Sequence, residues 1–527
     1  MRAKIKSNSN LPNLFTAANP IQNAIRTSPY VGASNNKSLK TWQPSSSTAD
    51  ETLLPSLNTL RARSYDAIRN QPAARGAVNT MRTGVLGSGL QLQPSIDYEF
   101  LKLTREQAEM WQKKTKQEFR LWSENQSCDF LRQQNFLGLQ ELAFKSQLAA
   151  GDCFVLLPWK PYPNMPYDLR VQLIEAERVC NPNDLNDTAQ IAGGIERNED
   201  GVPIAIHIRT PHPNATIIGV NNLKATWQRI PFYGRKTGIR NVLQLMEVDR
   251  IGQTRGEPIL APVLETLKQI SDFSAAELSA AVVNALLTVF IERTEIDTTV
   301  NTGLDKDGNE KKMPWEEANN YVLGTGTWVD GAPGEKMNVI NAARPSSQFD
   351  PFFLACMKQI GMALAIPYEV LINHFSSSYS ASRAAQLTFF KNILPLREKF
   401  AGAFCQPFYE AFLEEAVLKG RIIAPGYLND PYMRLAYSGA YWRGPAQGQI
   451  DEVKEVNAAN QRVLCGFSTR SEEAMKLTGL DYKDIMKAQA EEKAFAENLG
   501  LKYEPNLPGA GNSENKPSED SNAKEGS

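Results

Sequence analysis

From Glu257 to Glu292 apolar side chains recur at helical spacing, and this stretch limits the possible folds more than any other. Leu260, Val263, Leu264, Leu267, Ile270 and Ser274 make one stripe, continued by Leu278, Ala281, Val282, Ala285 and Val289. At ~1.5 Å per residue a helix over the whole stretch would reach about 50 Å, long for a globular core. Small residues fill its middle: Ala275, Ala276, Ser279, Ala280 and Ala281 permit close approach of another helix. Such a helix suits a bundle, a ring of subunits or a buried place inside a monomer.

A second helical pattern, Phe349 to Leu394, is broken in its middle. Ile366-Pro367 disfavours helical geometry at Ile366 and removes a backbone donor, so a helix begun near Ser347 or Asp350 should stop or kink there. The apolar turn IPYEVL follows. Then Asn373-His374-Phe375-Ser376-Ser377-Ser378-Tyr379-Ser380 competes for backbone hydrogen bonds and predicts a loop, after which Ser380-Ala381-Ser382-Arg383 opens a new helix with a serine cap. A nearly uncharged serine loop between apolar helices suits either an ordinary connection or light contact with a passing partner.

The rest of the chain restricts the function. At 527 residues it exceeds one compact core, which predicts several domains or an elongated subunit. With 42% apolar and 22% charged residues it has the composition of a soluble folded protein. The formal net charge of −1 argues against a static DNA binder, which gains affinity from many phosphate contacts, but fits a conduit that must not hold what passes. Six separated cysteines, Cys128, Cys153, Cys180, Cys356, Cys405 and Cys465, read as buried free thiols of a reducing compartment. No CxxC pair and only His207, His212 and His374 stand against a metal site or cofactor. Ser279 to Ile291, the most apolar stretch, is too short to span a bilayer, and Met1 to Asp50 lacks the continuous apolar core of a signal peptide.

Taken in order, residues 1–50 hold six basic residues and one acid and read as a poorly ordered arm. Two short helices follow from Leu57 to Thr83, with Pro72 starting the second. Gly84 to Gly89 lacks the Gly-Lys-Ser/Thr ending of a phosphate loop and reads as a turn into the strand LQLQP. Thr104-x-x-Gln107 is a capping box for a helix to about Trp122, and Leu139 to Ala150 supplies another. GDCFVLLP, VQLIEAERV, GGIERNEDGVPIAIHIR with its Asp200-Gly201 hairpin turn, and VLQLM are strands, so this block is α+β. Trp227, Arg229 and Arg235 read as structural residues or as contacts with nucleic acid or a neighbour. Residues 293–346 leave the core and return. Their Asp305-Lys306-Asp307-Gly308 is out of register for calcium and predicts a hairpin turn. Helices resume from Ala384 to Leu418 with kinks at Pro395 and Pro407, a helical platform follows, and the tail from Glu504 is too poor in apolar residues to fold.

Hydrolysis lacks a histidine in a recognisable setting and a GxSxG elbow, so an enzyme is disfavoured. A membrane pore lacks a spanning segment. A ring-forming structural protein accounts together for the long small-residue helix, the excursion, the polar loop and the neutral charge. Five segments then carry a resemblance: ALAIPYEVLINHFSSSYSASRAAQ, NQPAARGAVNTMRTGVLGSGLQLQP, GDCFVLLP, QLIEAERVCNP and GEPILAPVLETLKQISDFSAAELSAA. Spread along the chain from about Arg61 to Leu501, and in the family's order, they resemble the lambda-family phage portal proteins.

The resemblance implies an elongated α+β subunit that assembles into a ring, usually of twelve copies. It would have a flexible arm (1–50), a wing (51–255), a first stem helix (256–292), a clip (293–346), a second stem helix and turn (347–372), a tunnel loop (373–382), wing and crown helices (383–503) and a disordered tail (504–527). It implies no enzymatic activity of its own and a place at one capsid vertex after assembly in the host cytoplasm. Double-stranded DNA would pass through the ring, and its implied partners are the terminase large subunit, major capsid and scaffold proteins and head-tail connector proteins, without stable membrane association. The tunnel loop would face DNA with Asn373, His374, Ser376, Ser377, Ser378, Tyr379 and Arg383. Lys306, Lys311 and Lys312 would meet partners at the clip, and Ala276, Ala280 and Ala281 would pack the ring. A ring- or pore-forming structural protein without DNA translocation is the alternative.

Overall fold

The structure, a computed structural model, describes residues 33, 37–213, 225–286, 290–293, 299–304, 306–314, 335–338, 349–375, 378–446 and 452–501. Most of the arm expected over 1–50 and the whole tail expected from Glu504 lie outside these residues.

The described chain opens with helix α1, Ala49–Asn70. Thr48 caps it in a capping box with Glu51, so helix begins inside the expected arm. Helix α2, Pro72–Leu86, starts at its proline as expected but carries Gly84 inside its last turn; the chain leaves the helix only at Gly87, whose φ is 58°. Strand β1 (Gln91–Pro94), helix α3 (Arg105–Ser123, capped by Thr104 and Gln107) and helix α4 (Phe136–Ala150) follow. Strands β2 (Asp152–Leu156) and β3 (Gln172–Ile174) come next, then β4 (Ile191–Ala192), β5 (Ile195–Arg197), β6 (Pro203–Thr210), β7 (Thr226–Pro231) and β8 (Val242–Met246). They form a three-stranded sheet in the order β3-β2-β8 and a four-stranded meander β4-β5-β6-β7. Phe154, Ile174, Ile195, Ile206, Ile208 and Val242 make one apolar cluster shared by the two sheets. Arg229 on β7 grips Glu196 on β5 at 2.7 and 3.0 Å, which gives it a structural role.

The long helix is shorter than its periodicity predicts. Helix α5 spans Leu264–Leu286, preceded by a 3-10 turn at Ala261–Val263, and β9 (Phe290–Arg293) is already extended where helix was expected to Glu292. Pro258 and Pro262 lack backbone donors, and the turn they produce keeps the apolar spacing of Leu260 and Val263 without continuous α-helix. Strands β10 (Thr299–Leu304) and β11 (Glu310–Pro314) form the expected hairpin, with Gly308 at φ 85°. Strand β12 (Glu335–Asn338) pairs antiparallel with β9, so the excursion leaves and returns side by side.

Helix α6, Phe349–Ala363, then runs back against α5, Phe273 lying 5.6 Å from Phe349 and 4.9 Å from Phe352 between ring centres. It ends before Pro367 as expected. Ala365 takes φ 54° while the Ile366 N–H donates to the Gly361 carbonyl at 2.8 Å, an end that needs glycine at 361 because a Cβ there would sit 2.5 Å from the Ile366 oxygen. Pro367 starts the single turn α7, Tyr368–Leu371. Helix α8, Tyr379–Phe400, has Ser378 at its N-cap position without the side-chain capping bond expected of a serine, so Tyr379 to Ser382 are its first turn and the loop is shorter than residues 373–382. It passes Pro395 without ending and continues through a π turn at Ala401–Cys405 into α9, Gln406–Leu418; the widened turn stands where Pro407 was expected to kink the chain.

Helix α10 (Pro431–Tyr437) leads to strand β13 (Ala440–Arg443), which pairs with β1 where the sequence predicts a helical platform. Helices α11 (Glu452–Leu464), α12 (Arg470–Thr478) and α13 (Tyr482–Asn498) close the described chain. The main core lies where α3, α4 and α9 meet, with Phe119, Trp122, Phe136, Phe408 and Phe412 buried together. Four cysteines are buried, but Cys465 is exposed, contrary to its reading as a buried thiol. Among the described residues no helix is long and apolar enough to cross a membrane, and no cluster of His, Cys, Asp and Glu could hold a metal.

Candidate functional site

A buried junction stands at the entry to α5, the first of the three surfaces that the sequence singles out. Asp152, at the start of β2, receives Arg61 of α1 at 2.8 Å and Arg255 at 2.5 and 3.0 Å, all three side chains being shut from solvent. Burial alone would push the Asp152 carboxyl up, but the two guanidinium groups outweigh it and hold the carboxyl below its ordinary range. Burial and the neighbouring Arg255 bring Arg61 down to about 10. Arg255 also donates to the carbonyls of Val179, Gly193 and Ala176, and the next residue, Gly256, touches Gly151 so closely that a Cβ would lie 1.9 Å from its oxygen. This knot fixes the direction in which the chain enters α5. The expected site residues do not include it; Gly151, Asp152 and Gly256 lie inside two segments of the resemblance and Arg255 just before the second, but their pairing across the chain has no local signal.

The surface of α5 changes along its length. Leu260, Val263, Leu267 and Ile270 are buried, whereas Leu278 is 69% exposed, Val282 51%, and Ala276 and Ala281 are also exposed. One apolar stripe therefore begins in the core and ends in solvent. Helical spacing puts Ala276 and Ala280 one turn apart on one side, while Leu278, Ala281 and Val282 lie on the other. The three alanines expected to pack together thus belong to two faces.

On the excursion, Lys306 lies exposed in the turn between β10 and β11, and Lys311 and Lys312 lie on β11, with Lys312 opposite Asn301. The loop between α7 and α8 is anchored on its near side. Val370 and Leu371 are buried, the His374 N–H donates to the Glu369 carbonyl at 3.1 Å, and the Asn392 amide of α8 donates to the Ala365 carbonyl at 2.9 Å. Asn373 takes φ 51°, a left-handed conformation that asparagine tolerates. Asn373, His374 and Ser378 are exposed; Ser376 and Ser377 fall outside the described residues. Arg383 lies one helical turn beyond Tyr379 and pairs with Glu455 of α11 at 2.8 Å. Its charge is thus shared with a carboxylate, which leaves the described part of the loop polar and weakly charged.

The family model and the curated relatives point to one family. The family described as phage portal protein, lambda family, matches residues 35–397. Portal protein B of Escherichia phage lambda is 24% identical over 484 residues, which cover 88% of this chain and 89% of that protein. The portal protein of Escherichia phage N15 is 25% identical over 483 residues with the same coverage, 88% and 89%. Among solved structures, a chain from the virion of a native gene transfer agent particle is 12% identical over 80% of this chain and 92% of that one, with a TM-score of 0.45. A phage portal protein of the HK97 family from Corynebacterium diphtheriae is 14% identical over 71% of this chain and 97% of that one, with a TM-score of 0.32.

Proposed function

This chain belongs to the lambda family of phage portal proteins, and we propose that copies of it close into a ring, of twelve subunits, through which double-stranded DNA enters and leaves the head. A portal role at the capsid vertex comes with the family. The ring rests on one observation of the chain itself: the apolar stripe of α5 runs out of the core into solvent at Leu278 and Val282, with a small-residue face, Ala276 and Ala280, on the other side of the same helix. A ring made by head-to-tail contacts needs two different patches on each subunit, and α5 offers both.

In this reading α5 and α6 are the stem, and the strands β9 to β12 form the clip that meets the terminase large subunit and later the head-tail connector proteins, with Lys306, Lys311 and Lys312 toward those partners. Major capsid and scaffold proteins surround the wing, and assembly takes place in the host cytoplasm. The loop from Asn373 to Ser378 faces the channel. Its hydroxyls and single imidazole make few phosphate contacts, and Arg383 is engaged by Glu455, so a moving duplex is guided without being held.

Electron microscopy of the purified full chain tests this. The expected image is a ring whose central hole admits a DNA duplex, and Ala280→Glu, which buries an unpaired charge at the seam, should yield mainly smaller species. A wild type that sediments as a monomer at every concentration would overturn the ring, and a ring too narrow for DNA would return the chain to a structural role without translocation.

A further inference from the structure

Away from these surfaces, two loops of the body build a platform of rings and cations. Tyr162 stands in Pro161-Tyr162-Pro163-Asn164-Met165-Pro166, a proline-rich turn, and its hydroxyl donates to the Phe130 carbonyl at 3.1 Å. Three cations converge on these rings. Arg132 lies 3.7 Å and Arg170 4.5 Å from the Tyr162 ring centre, while Lys160 lies 4.6 Å from that of Phe130 and 5.7 Å from that of Tyr162.

The nearby carboxylates are occupied elsewhere. Asp129 accepts the N–H groups of Leu131, Gln133 and Gln134, and Asp168 pairs with Lys419 at 3.0 Å. Among the described residues Arg132 and Lys160 have no ion pair, and Arg170, fully buried, leaves Nε and Nη2 without a hydrogen-bond partner. Arg132 and Lys160 are thus the exposed cations of the platform, while Asp168 and Glu415 act on the buried Arg170. Apolar surface adjoins it: Leu131 is 65% exposed and Trp159 41%.

The loops are also held in advance of any partner. Asp129 fixes the turn that puts Arg132 at φ 57°, and the Lys160 N–H and Arg170 N–H tie the two arms of the proline turn to the Asp168 and Pro158 carbonyls at 2.7 and 2.9 Å. Arginine, tryptophan, tyrosine and methionine are the residues enriched in protein interfaces, and preorganised side chains lose little entropy on binding. A DNA backbone would find only two exposed cations here and an exposed leucine with nothing to do.

The geometry points to a docking surface for an acidic protein segment, one whose carboxylates meet Arg132 and Lys160 while an adjoining apolar side chain covers Leu131 and Trp159. The buried Arg170 stacks on Tyr162 and keeps its ring in place. This surface does not depend on ring formation.

Fluorescence anisotropy of a labelled synthetic peptide of alternating glutamate and leucine, titrated with the full-length protein, tests it. Binding should weaken about tenfold in R132E/K160E, and similarly in Trp159→Ala, which leaves the charge untouched. Arg132→Lys should bind within a few-fold of wild type, and thermal unfolding of each variant checks that it is folded. Equal peptide binding by wild type and R132E/K160E would overturn the proposal. So would a short DNA duplex that binds wild type, loses its binding in R132E/K160E, and displaces the peptide.

Discussion

The aromatic core under α3, α4 and α9 and the trio of helices α11, α12 and α13 belong to one chain but are held by different physics. In the core, Phe119 packs within 5.2 to 6.0 Å of Trp122, Phe136, Tyr409 and Phe412, and the Trp122 indole donates to the Leu169 carbonyl at 3.0 Å. In the trio, α13 has no buried residue, and Leu464, Phe467 and Phe495 face solvent. Among the described residues its ion pairs to the body are Arg383 to Glu455, Lys116 to Asp484 at 3.5 Å, and Lys483 to Glu109. Half-exposed pairs contribute about 0–1 kcal/mol each, against several for a buried aromatic ring. The core is thus complete within one subunit, whereas the trio and the far end of α5 present surface suited to further contacts.

The sharpest break of that comparison is a cavity. Phe412→Ala should lower the unfolding free energy by about 3–5 kcal/mol, while Phe495→Ala on α13 should change it by less than about 0.5 kcal/mol. Denaturant titration of both variants decides it; similar losses would erase the distinction. The buried junction gives a second contrast of nearly the same size. Asp152→Ala leaves Arg61 and Arg255 buried without their carboxylate and should cost about 3–5 kcal/mol, whereas Glu455→Ala should cost about 0–1 kcal/mol because Arg383 can turn to water.

How much of this was legible follows the range of each signal. The Thr104 capping box, the Pro72 helix start, the Gly201 turn and the break before Pro367 depend on a few adjacent residues, and the structure has them where the sequence predicts. The ends of α5 were misjudged because apolar spacing continues through Pro262 on one side and into β9 on the other. Strand β13 could not be read, because Ala440 to Arg443 becomes a strand only by pairing with Gln91 to Pro94 from the far end of the chain. Arg383 shows the same limit at the candidate site. Its place beside the serine loop was visible, but its partner Glu455 is a long-range neighbour. The exposure of Leu278 and Val282 is likewise set by where the core stops, which periodicity does not mark.

Salt separates the two regions with a smaller effect. At 1 M ionic strength the Debye length falls to about 3 Å, so the exposed ties of α13 weaken while the apolar core is unaffected or strengthened. Hydrogen exchange should show faster exchange over α13 in high salt and unchanged protection in α3 and α9. Equal protection of α13 in both conditions would mean that apolar contacts hold it.

The smallest effect is local and depends on pH. Arg462 of α11 donates to Glu473 of α12 at 3.0 and 2.6 Å, and this hydrogen-bonded pair brings the Glu473 carboxyl down to about 2 although burial opposes it. A carboxyl depressed in the folded state adds stability above its unfolded value near 4.5, and that contribution is lost as pH falls toward 2. The contact of α11 with α12 should therefore hold at pH 5 and loosen below about pH 4. In Arg462→Ala the same carboxyl is buried without its donor, its pKa rises, and the loosening should already appear near pH 5. Hydrogen exchange of Glu452–Leu464 and Arg470–Thr478 across that range reads the shift, with α3 as the internal reference. A variant that loosens at the same pH as wild type would show that the pair is a surface contact and that Ala459 and the Thr469 cap hold these helices instead.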